Sequence, residues 1–447
     1  AAEGALDRPL VRAIEKAGVV GAGGGGFPTH VKAAADAEIV LAHGAECEPL
    51  LRSDAEIMAR SPSQVVRGLE LLAEAVGASR AVIAVKAKNT RAVEALGPAV
   101  SGARAVELVT LENVYPAGDE YLLVYELTGR VVPEGGIPLD VGVVVNNVTT
   151  LSQVADAVEG RPVTRRMVTV QGEVANPGTF VVPIGTPIGG VIARAGGTTV
   201  EDPGVILGGP MMGRLAADLD EPTTKTIAGV LVLPGDHRLV ASRAASEAHV
   251  LRIARAACCQ CMACTELCPR FLLGHALEPH RTVRAIQYSK SPEECEHVTS
   301  AFLCCECGMC ELFACPLEIQ PRRILAALKA ELTRRGVENP HRRGDLRPDQ
   351  VREYRQIPTA RLVQRLGLSE YDRDAPFDER PVEPERVTLL MSQHAGRPAR
   401  PLVEEGRRVL EGDVLGEVEE GALGARVHAS IAGTVTSVSA DRVTIAA

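Results

Sequence analysis

Cysteine is the residue type whose spacing says most about chemistry in this chain. Of twelve cysteines, Cys47 stands alone and all the others lie between residues 258 and 315. They form two runs, Cys258-x2-Cys261-x2-Cys264-x3-Cys268-Pro269 and Cys304-x2-Cys307-x2-Cys310-x4-Cys315-Pro316. A disulfide scaffold would spread its cysteines through a small secreted chain, whereas this crowding within 447 residues reads as metal ligation in a reducing compartment. Three thiolates two residues apart can wrap one face of a cubane from a tight loop, and the fourth, followed by proline, leaves that loop. Two [4Fe–4S] clusters are therefore expected on Cys258, Cys261, Cys264, Cys268, Cys304, Cys307, Cys310 and Cys315. Zinc also takes four thiolates, but its sites usually use two separated pairs, and a triple at two-residue spacing suits a tetrahedron poorly.

In two-cluster ferredoxin modules the fourth cysteine ligates the other run's cluster. That implies one cluster on Cys258, Cys261, Cys264 and Cys315 and another on Cys304, Cys307, Cys310 and Cys268. The second run has four residues between its last two cysteines where the first has three, which changes the loop without removing a ligand. Cys259 and Cys305 fit no complete register and read as packing residues, and Cys295, in Glu293-Glu294-Cys295-Glu296, reads as a free thiol.

The other candidate for chemistry is Gly21-Ala22-Gly23-Gly24-Gly25-Gly26-Phe27-Pro28-Thr29-His30-Val31-Lys32, a loop stripped of side chains that runs into a helix start and a lysine. Glycines let backbone N–H groups approach a phosphate, and a helix N-terminus adds a favourable field. The spacing matches neither the Walker nor the dinucleotide-binding pattern.

These groups need elements to hold them. Up to about residue 160, helical stretches (Leu6–Ala17, Ser63–Val76) alternate with strands (Ile39–Leu41, Ala81–Val85), an α/β texture. From Met167 the chain reads as strand, Asn176-Pro177-Gly178 turn, strand and short helix, a small α+β unit. Residues 244–334 read as helices broken by the cysteine runs, with a clean helix over Arg322–Arg335 after Pro321. Residues 335–385, rich in Arg, Asp, Glu and Pro, are expected to be a linker with little core, and its arginines (Arg334, Arg335, Arg342, Arg343, Arg347, Arg352) a solvated face or a dock for an acidic partner. The tail returns to short strands. With 3% aromatics and no Trp, the cores must be aliphatic. A net charge of −9 argues against nucleic acid. No apolar run reaches bilayer length and no secretory signal is visible, so a soluble protein, not integral to a membrane, is expected.

The glycine loop resembles the flavin-binding loop of the NADH-oxidising flavoprotein subunit of respiratory complex I, and the resemblance continues in order. His43-Gly44-Ala45-Glu46-Cys47-Glu48-Pro49 is similar to that family's acidic segment, Tyr115-Pro116-Ala117-Gly118-Asp119-Glu120 to its Gly-Glu-Glu turn, and Val145-Asn146-Asn147-Val148-Thr149-Thr150 to its Asn-Asn strand end. His43 and Ala45 depart from the family's Asn and Asp. The following unit resembles a β-grasp soluble-ligand-binding domain and the tail a β barrel-sandwich module. Flavin domain, β-grasp unit, two-cluster module and C-terminal barrel together resemble the RnfC protein of the Rnf complex and, in this order, its relatives the Pdu-type cobalamin reductases.

The resemblance implies a multidomain α/β and α+β fold. It comprises a complex I flavoprotein-like α/β FMN/NADH domain (1–160), a β-grasp domain (161–243), a helical ferredoxin-like module with two [4Fe–4S] clusters (244–334), a linker (335–385) and a barrel-sandwich module (386–447). It implies FMN contacts from Gly21, Gly23, Gly24 and Lys32, with Asn146, Asn147 and Thr150 around the flavin and Phe27 stacking on the nicotinamide. Glu48 and Glu120 would bond the dinucleotide, and Glu46, Gly118 and Asp119 belong to the same cofactor set. The implied reaction carries electrons from NADH through FMN and the clusters to cobalamin, presented by an adenosyltransferase in the cytoplasm or inside a bacterial microcompartment. An Rnf-type protein exchanging electrons between NADH and ferredoxin, or a flavin-free relay, are the alternatives.

Overall fold

The computed structural model describes residues 8–288 and 295–447, so the Glu293-Glu294 part of the loop before Cys295 lies outside the described residues. The first domain is built on a four-stranded sheet in the order Val106–Leu111, Arg80–Lys86, Ile39–Gly44, Val143–Asn147. Every pair is parallel, with Leu41 aligned to both Val82 and Val145. Helices cover both faces of such sheets, so the strands must be apolar throughout; Val40, Leu41, Ala42 and Val82 to Val85 are fully buried. Helix Pro62–Val76 lies against helix Val148–Val158, and Gly68 permits the approach: a Cβ there would sit 1.8 Å from the Leu151 carbonyl oxygen.

The order of the strands fixes where a ligand can go. The chain steps outward from Ile39–Gly44 to Arg80–Lys86 and Val106–Leu111, then returns to place Val143–Asn147 on the other side of Ile39–Gly44. The direction of winding therefore reverses between those two strands, and ligands of open α/β sheets bind in the crevice at the carboxyl ends of such a pair.

The second domain is a six-stranded mixed sheet, in the order Phe377–Asp378, Gly178–Pro183, Arg165–Gly172, Gly229–Pro234, Pro203–Leu207, Arg214–Leu215. Helix Ile188–Arg194 closes its aliphatic core of Val168, Val170, Val182, Ile188, Val191 and Val230.

Residues 335–385 are not a linker with little core. Ile357–Pro358 pairs antiparallel with Val114–Tyr115, and Phe377–Asp378 adds an edge strand to the second sheet. Leu362, Val363, Leu366, Leu368 and Tyr371 are buried together with Tyr115, Cys307 and Met309. Four arginines of this stretch are also paired. Arg343 pairs with the buried Glu134 at 2.6 Å, Arg352 pairs with Glu126 while lying over the Tyr125 ring, and Arg334 and Arg335 pair with Glu331. Arg334, Arg335, Arg342 and Arg347 lie exposed, as a solvated face would have them, while Arg352 is buried.

The C-terminal module consists of a four-stranded and a three-stranded antiparallel sheet. Its core residues Val387, Leu389, Val435 and Ile445 are continuous with Val11, Ile14 and Val19 of the first domain. Lys225, fully buried, bolts this junction by donating to the carbonyls of Gly18 and Arg426, each at 2.7 Å.

Candidate functional site

Three of the motifs meet in the crevice. The Ala22 amide donates to Thr150 Oγ1 at 2.9 Å, and Gly23 faces the Asn147 side chain. Lys32 Nζ donates to the Val145 carbonyl at 2.7 Å and pairs with Glu120 at 3.3 Å. Gly24 has φ +107°, a conformation glycine adopts without strain, and a Cβ on Gly24 or Gly25 would meet nothing within 4 Å. The loop thus offers bare backbone to open space. The helix that follows, Thr29–Ala33, is a single turn, so the field expected from it is small. Phe27 is half-buried, and its carbonyl accepts from the Gly21 amide at 2.8 Å.

Behind the loop lies a buried polar network. Asp54 accepts from Asn147 Nδ2 at 2.7 Å and from Thr149 Oγ1 at 2.8 Å, while Asn147 Oδ1 caps the Thr149 amide at 2.9 Å. Glu46 accepts from Ser53 Oγ and from the Asp54 and Ala55 amides at the start of helix Ser53–Arg60. Burial, reinforced by Asp54, pushes its carboxyl up to about 7. Burial also pushes the Cys47 thiol up to about 11, and Cys47 Sγ accepts from the Gly118 amide at 2.7 Å. A Cβ on Gly118 would fall 2.1 Å from His43 Nε2, so His43 and Gly118 fit only as a pair.

Several residues expected at the cofactor have other partners. Both carboxylate oxygens of Glu48 are taken by backbone amides of the β-grasp domain, Met211 at 2.8 Å and Met212 at 2.7 Å. Glu46 is likewise spent on a helix start. Asp119 caps helix Glu120–Thr128 and pairs with Arg270 at 2.9 Å. The backbone of Gly23 and Gly24 stays bare, Lys32 and Glu120 pair with each other, and Asn146 sits at the end of strand Val143–Asn147. Asn146 is 4% exposed, and its Nδ2 has no hydrogen-bond partner among the described residues. An unpaired buried donor, a cationic amine and bare amides suit a phosphate-bearing heterocycle with ring acceptors, which is what FMN is.

The cysteines line two cavities. One is lined by Cys258, Cys259, Cys261, Cys264 and Cys315 with Met262, His280 and Leu317; the other by Cys268, Cys304, Cys305, Cys307 and Cys310 with Leu277 and Arg322. Each cavity takes the closely spaced triple of one run and the outlying cysteine of the other, with Cys259 or Cys305 beside them. Among the described residues, no group of three or more His, Cys, Asp or Glu side chains converges as a single metal ion would need. The two loops share one backbone form: Gln260 and Met262 in the first, Glu306 and Gly308 in the second, all have positive φ at matching places. The extra residue of the second run is absorbed in a π-helical turn, Met309–Ala314, where the first run has the short α-helix Ala263–Glu266. N–H donors reach the sulfurs of Cys258, Cys304 and Cys315, from Gln260 Nε2, Glu306 N and Ile319 N. Burial pushes the Cys264 and Cys268 thiols up to about 12.

Two contacts that spacing gave no sign of join the crevice to the second cavity. Tyr115 Oη donates to the Cys307 carbonyl at 2.6 Å. Arg270, two residues beyond Cys268, pairs with Asp119 and lies 3.5 Å over the Tyr121 ring. The first cavity is the more open to solvent, with Cys261, Met262 and Leu317 exposed where Cys268, Cys304, Cys307 and Cys310 are buried.

The family comparisons follow the same division. Residues 14–156 match the Nuo51 FMN-binding domain, 167–215 the SLBB domain, 257–320 the 4Fe-4S dicluster domain and 370–447 the RnfC barrel sandwich hybrid domain. Cobalamin reductase PduS of Salmonella typhimurium is 47% identical over 97% of this chain and 95% of its own, and that of Citrobacter freundii 46% over the same shares. A component of the Na(+)-translocating ferredoxin:NAD(+) oxidoreductase complex of Acetobacterium woodii is 37% identical over 58% of this chain and 57% of its own. Among solved structures, an NAD+-reducing [NiFe]-hydrogenase in the H2-reduced state matches with a TM-score of 0.50 and 24% identity, over 73% of this chain and 64% of that one, a likeness of fold alone. Among the described residues no helix is long and apolar enough to cross a membrane. With a near-full-length match to PduS and a matching domain at every stage of the chain, this protein belongs to the PduS family of cobalamin reductases.

Proposed function

We propose that the chain carries electrons from NADH to cobalamin, using one FMN and two [4Fe–4S] clusters. Bound in the crevice, FMN supplies the change from hydride to single electrons. The Gly23 and Gly24 amides and Lys32 would hold its phosphate, Asn146 Nδ2 would donate to the ring, and Phe27 and Glu120 would face the dinucleotide. Cys268, Cys304, Cys307 and Cys310 would hold the inner cluster; Cys258, Cys261, Cys264 and Cys315 the outer one. The observation that carries this reading is the bond from Tyr115, in the flavin domain, to the Cys307 carbonyl, which ties the crevice directly to the inner cysteine cavity. Exposure of Cys261 and Met262 supports an outlet at the outer cavity.

Cobalamin as the acceptor is supported by the PduS relatives, and with it an adenosyltransferase that presents the corrin, in the cytoplasm or inside a microcompartment. Anaerobic titration with NADH, with and without cob(II)alamin, tests the reading. The expected result is loss of flavin and cluster absorbance on adding NADH and its recovery as cobalamin is reduced. Bleaching without cobalamin reduction would remove the acceptor, and protein that releases no FMN on denaturation would remove the flavin.

A further inference from the structure

Arg166 lies on strand Arg165–Gly172, the first strand of the β-grasp domain, yet its side chain ends at the glycine loop of the flavin domain. It is 2% exposed; Nη2 donates to the Ala22 carbonyl at 2.7 Å, Nε donates to the Ile227 carbonyl at 3.3 Å, and Nη1 has no partner among the described residues.

A guanidinium buried this deeply normally finds a carboxylate, because an uncompensated charge in the interior is costly. The nearby carboxylates act on Arg166 only through space, and both are engaged elsewhere. Asp54 is occupied by Asn147 and Thr149, and Glu46 by Ser53 Oγ and the Asp54 and Ala55 amides. The guanidinium therefore keeps a free N–H beneath a loop whose outer face is bare backbone, Gly23 to Gly25, open to solvent. Holding the Ala22 carbonyl inward also pins the peptide that precedes Gly23.

We infer that Arg166 is a positioning residue for the FMN phosphate: it fixes the glycine loop through the Ala22 carbonyl and places a permanent positive charge behind it. Retention of the flavin then depends on the β-grasp domain being seated. The inference rests on the FMN reading above.

The test compares FMN with riboflavin, which lacks only the phosphate, binding to flavin-stripped protein with its clusters intact, by quenching of flavin fluorescence. In Arg166→Gln, FMN affinity is expected to fall about tenfold and riboflavin affinity less than about twofold, because the charge behind the loop acts on the phosphate alone. Arg166→Lys keeps the charge and is expected to retain most of the preference for FMN; it also serves if the Gln variant does not fold. Equal weakening of both flavins would mean a purely structural role and overturn the inference, as would no change in either. A wild-type protein that binds neither flavin would instead overturn the FMN reading, and this inference with it.

Discussion

Tyr115 Oη lies 2.6 Å from the carbonyl oxygen of Cys307, so a flavin-domain side chain donates to the backbone of an inner-cavity cysteine. Tyr115 is 3% exposed, and burial holds its phenol protonated well above the usual tyrosine range, so the donor is permanent. A donor aimed at a ligand's carbonyl drains electron density from the cluster region and stabilises its reduced state. Tyr115→Phe should therefore lower the inner cluster's potential, by roughly 40 mV if the bond strengthens by about 1 kcal/mol on reduction. Potentiometric titration followed by electron paramagnetic resonance reads the two clusters separately. A shift confined to the outer cluster, or no shift, would contradict the placement.

The crossed lining of the two cavities predicts which cluster each outlying cysteine serves. Cys315→Ser should remove the cluster of Cys258, Cys261 and Cys264 while leaving its own run's triple loaded; Cys268→Ser should do the reverse. In each variant iron content should fall to roughly half. The functional consequence differs: without the inner cluster, NADH should still bleach flavin but no longer reduce the remaining cluster. If Cys315→Ser instead lost the cluster of Cys304, Cys307 and Cys310, the partition would be wrong.

What can be read from sequence, and what cannot, divides along the range of the interactions. The cysteine runs and the glycine loop are local: their function lies in spacing a few residues long, and the apolar strands Ile39–Gly44 and Arg80–Lys86 announce a covered parallel sheet in the same way. Even the π-turn at Met309–Ala314 leaves a trace, the one extra residue before Cys315. The partners of Glu48 leave none, since Met211 is 163 residues away and a carboxylate near a cofactor motif reads as a ligand whether or not an amide has claimed it. Residues 335–385 look like a linker for a related reason. Their few apolar side chains, Ile357, Leu362, Val363 and Leu366, are diluted by charge along the chain but gathered on one face by cores that other domains supply.

Glu48 is accordingly expected to act as a clasp between domains. Glu48→Ala would leave the Met211 amide without its acceptor, at a cost of about 1–3 kcal/mol, whereas the exposed Met212 amide can turn to water. Thermal melting should move down and protection of the 210–213 amides from hydrogen exchange should fall, while the KM for NADH should change less than about twofold. A large rise in KM with unchanged melting would return Glu48 to the dinucleotide.

Lys225 predicts how stability varies with pH. It is 2% exposed, its ammonium donates to the Gly18 and Arg426 carbonyls, and burial pushes that ammonium down to about 7. The unfolded chain holds the proton up to about 10.4. Above pH 7 the unfolded state thus binds a proton that the folded state has released, so stability rises with pH, by at most about 1.4 kcal/mol per unit. Below pH 7 both states are charged and this contribution is flat at its least favourable. The slope is read between pH 7.5 and 8.5. His428, pushed down to about 3, is neutral in both states there; Glu46, pushed up to about 7, is mostly ionised in both; and the Cys47 thiol, pushed up to about 11, opposes the trend only as unfolded thiols ionise, near 8.5–9. Wild-type melting should therefore rise by roughly a degree or more across that window, and Lys225→Met should melt higher at pH 7.5 with the slope removed. A slope that survives in Lys225→Met would place the titrating group elsewhere.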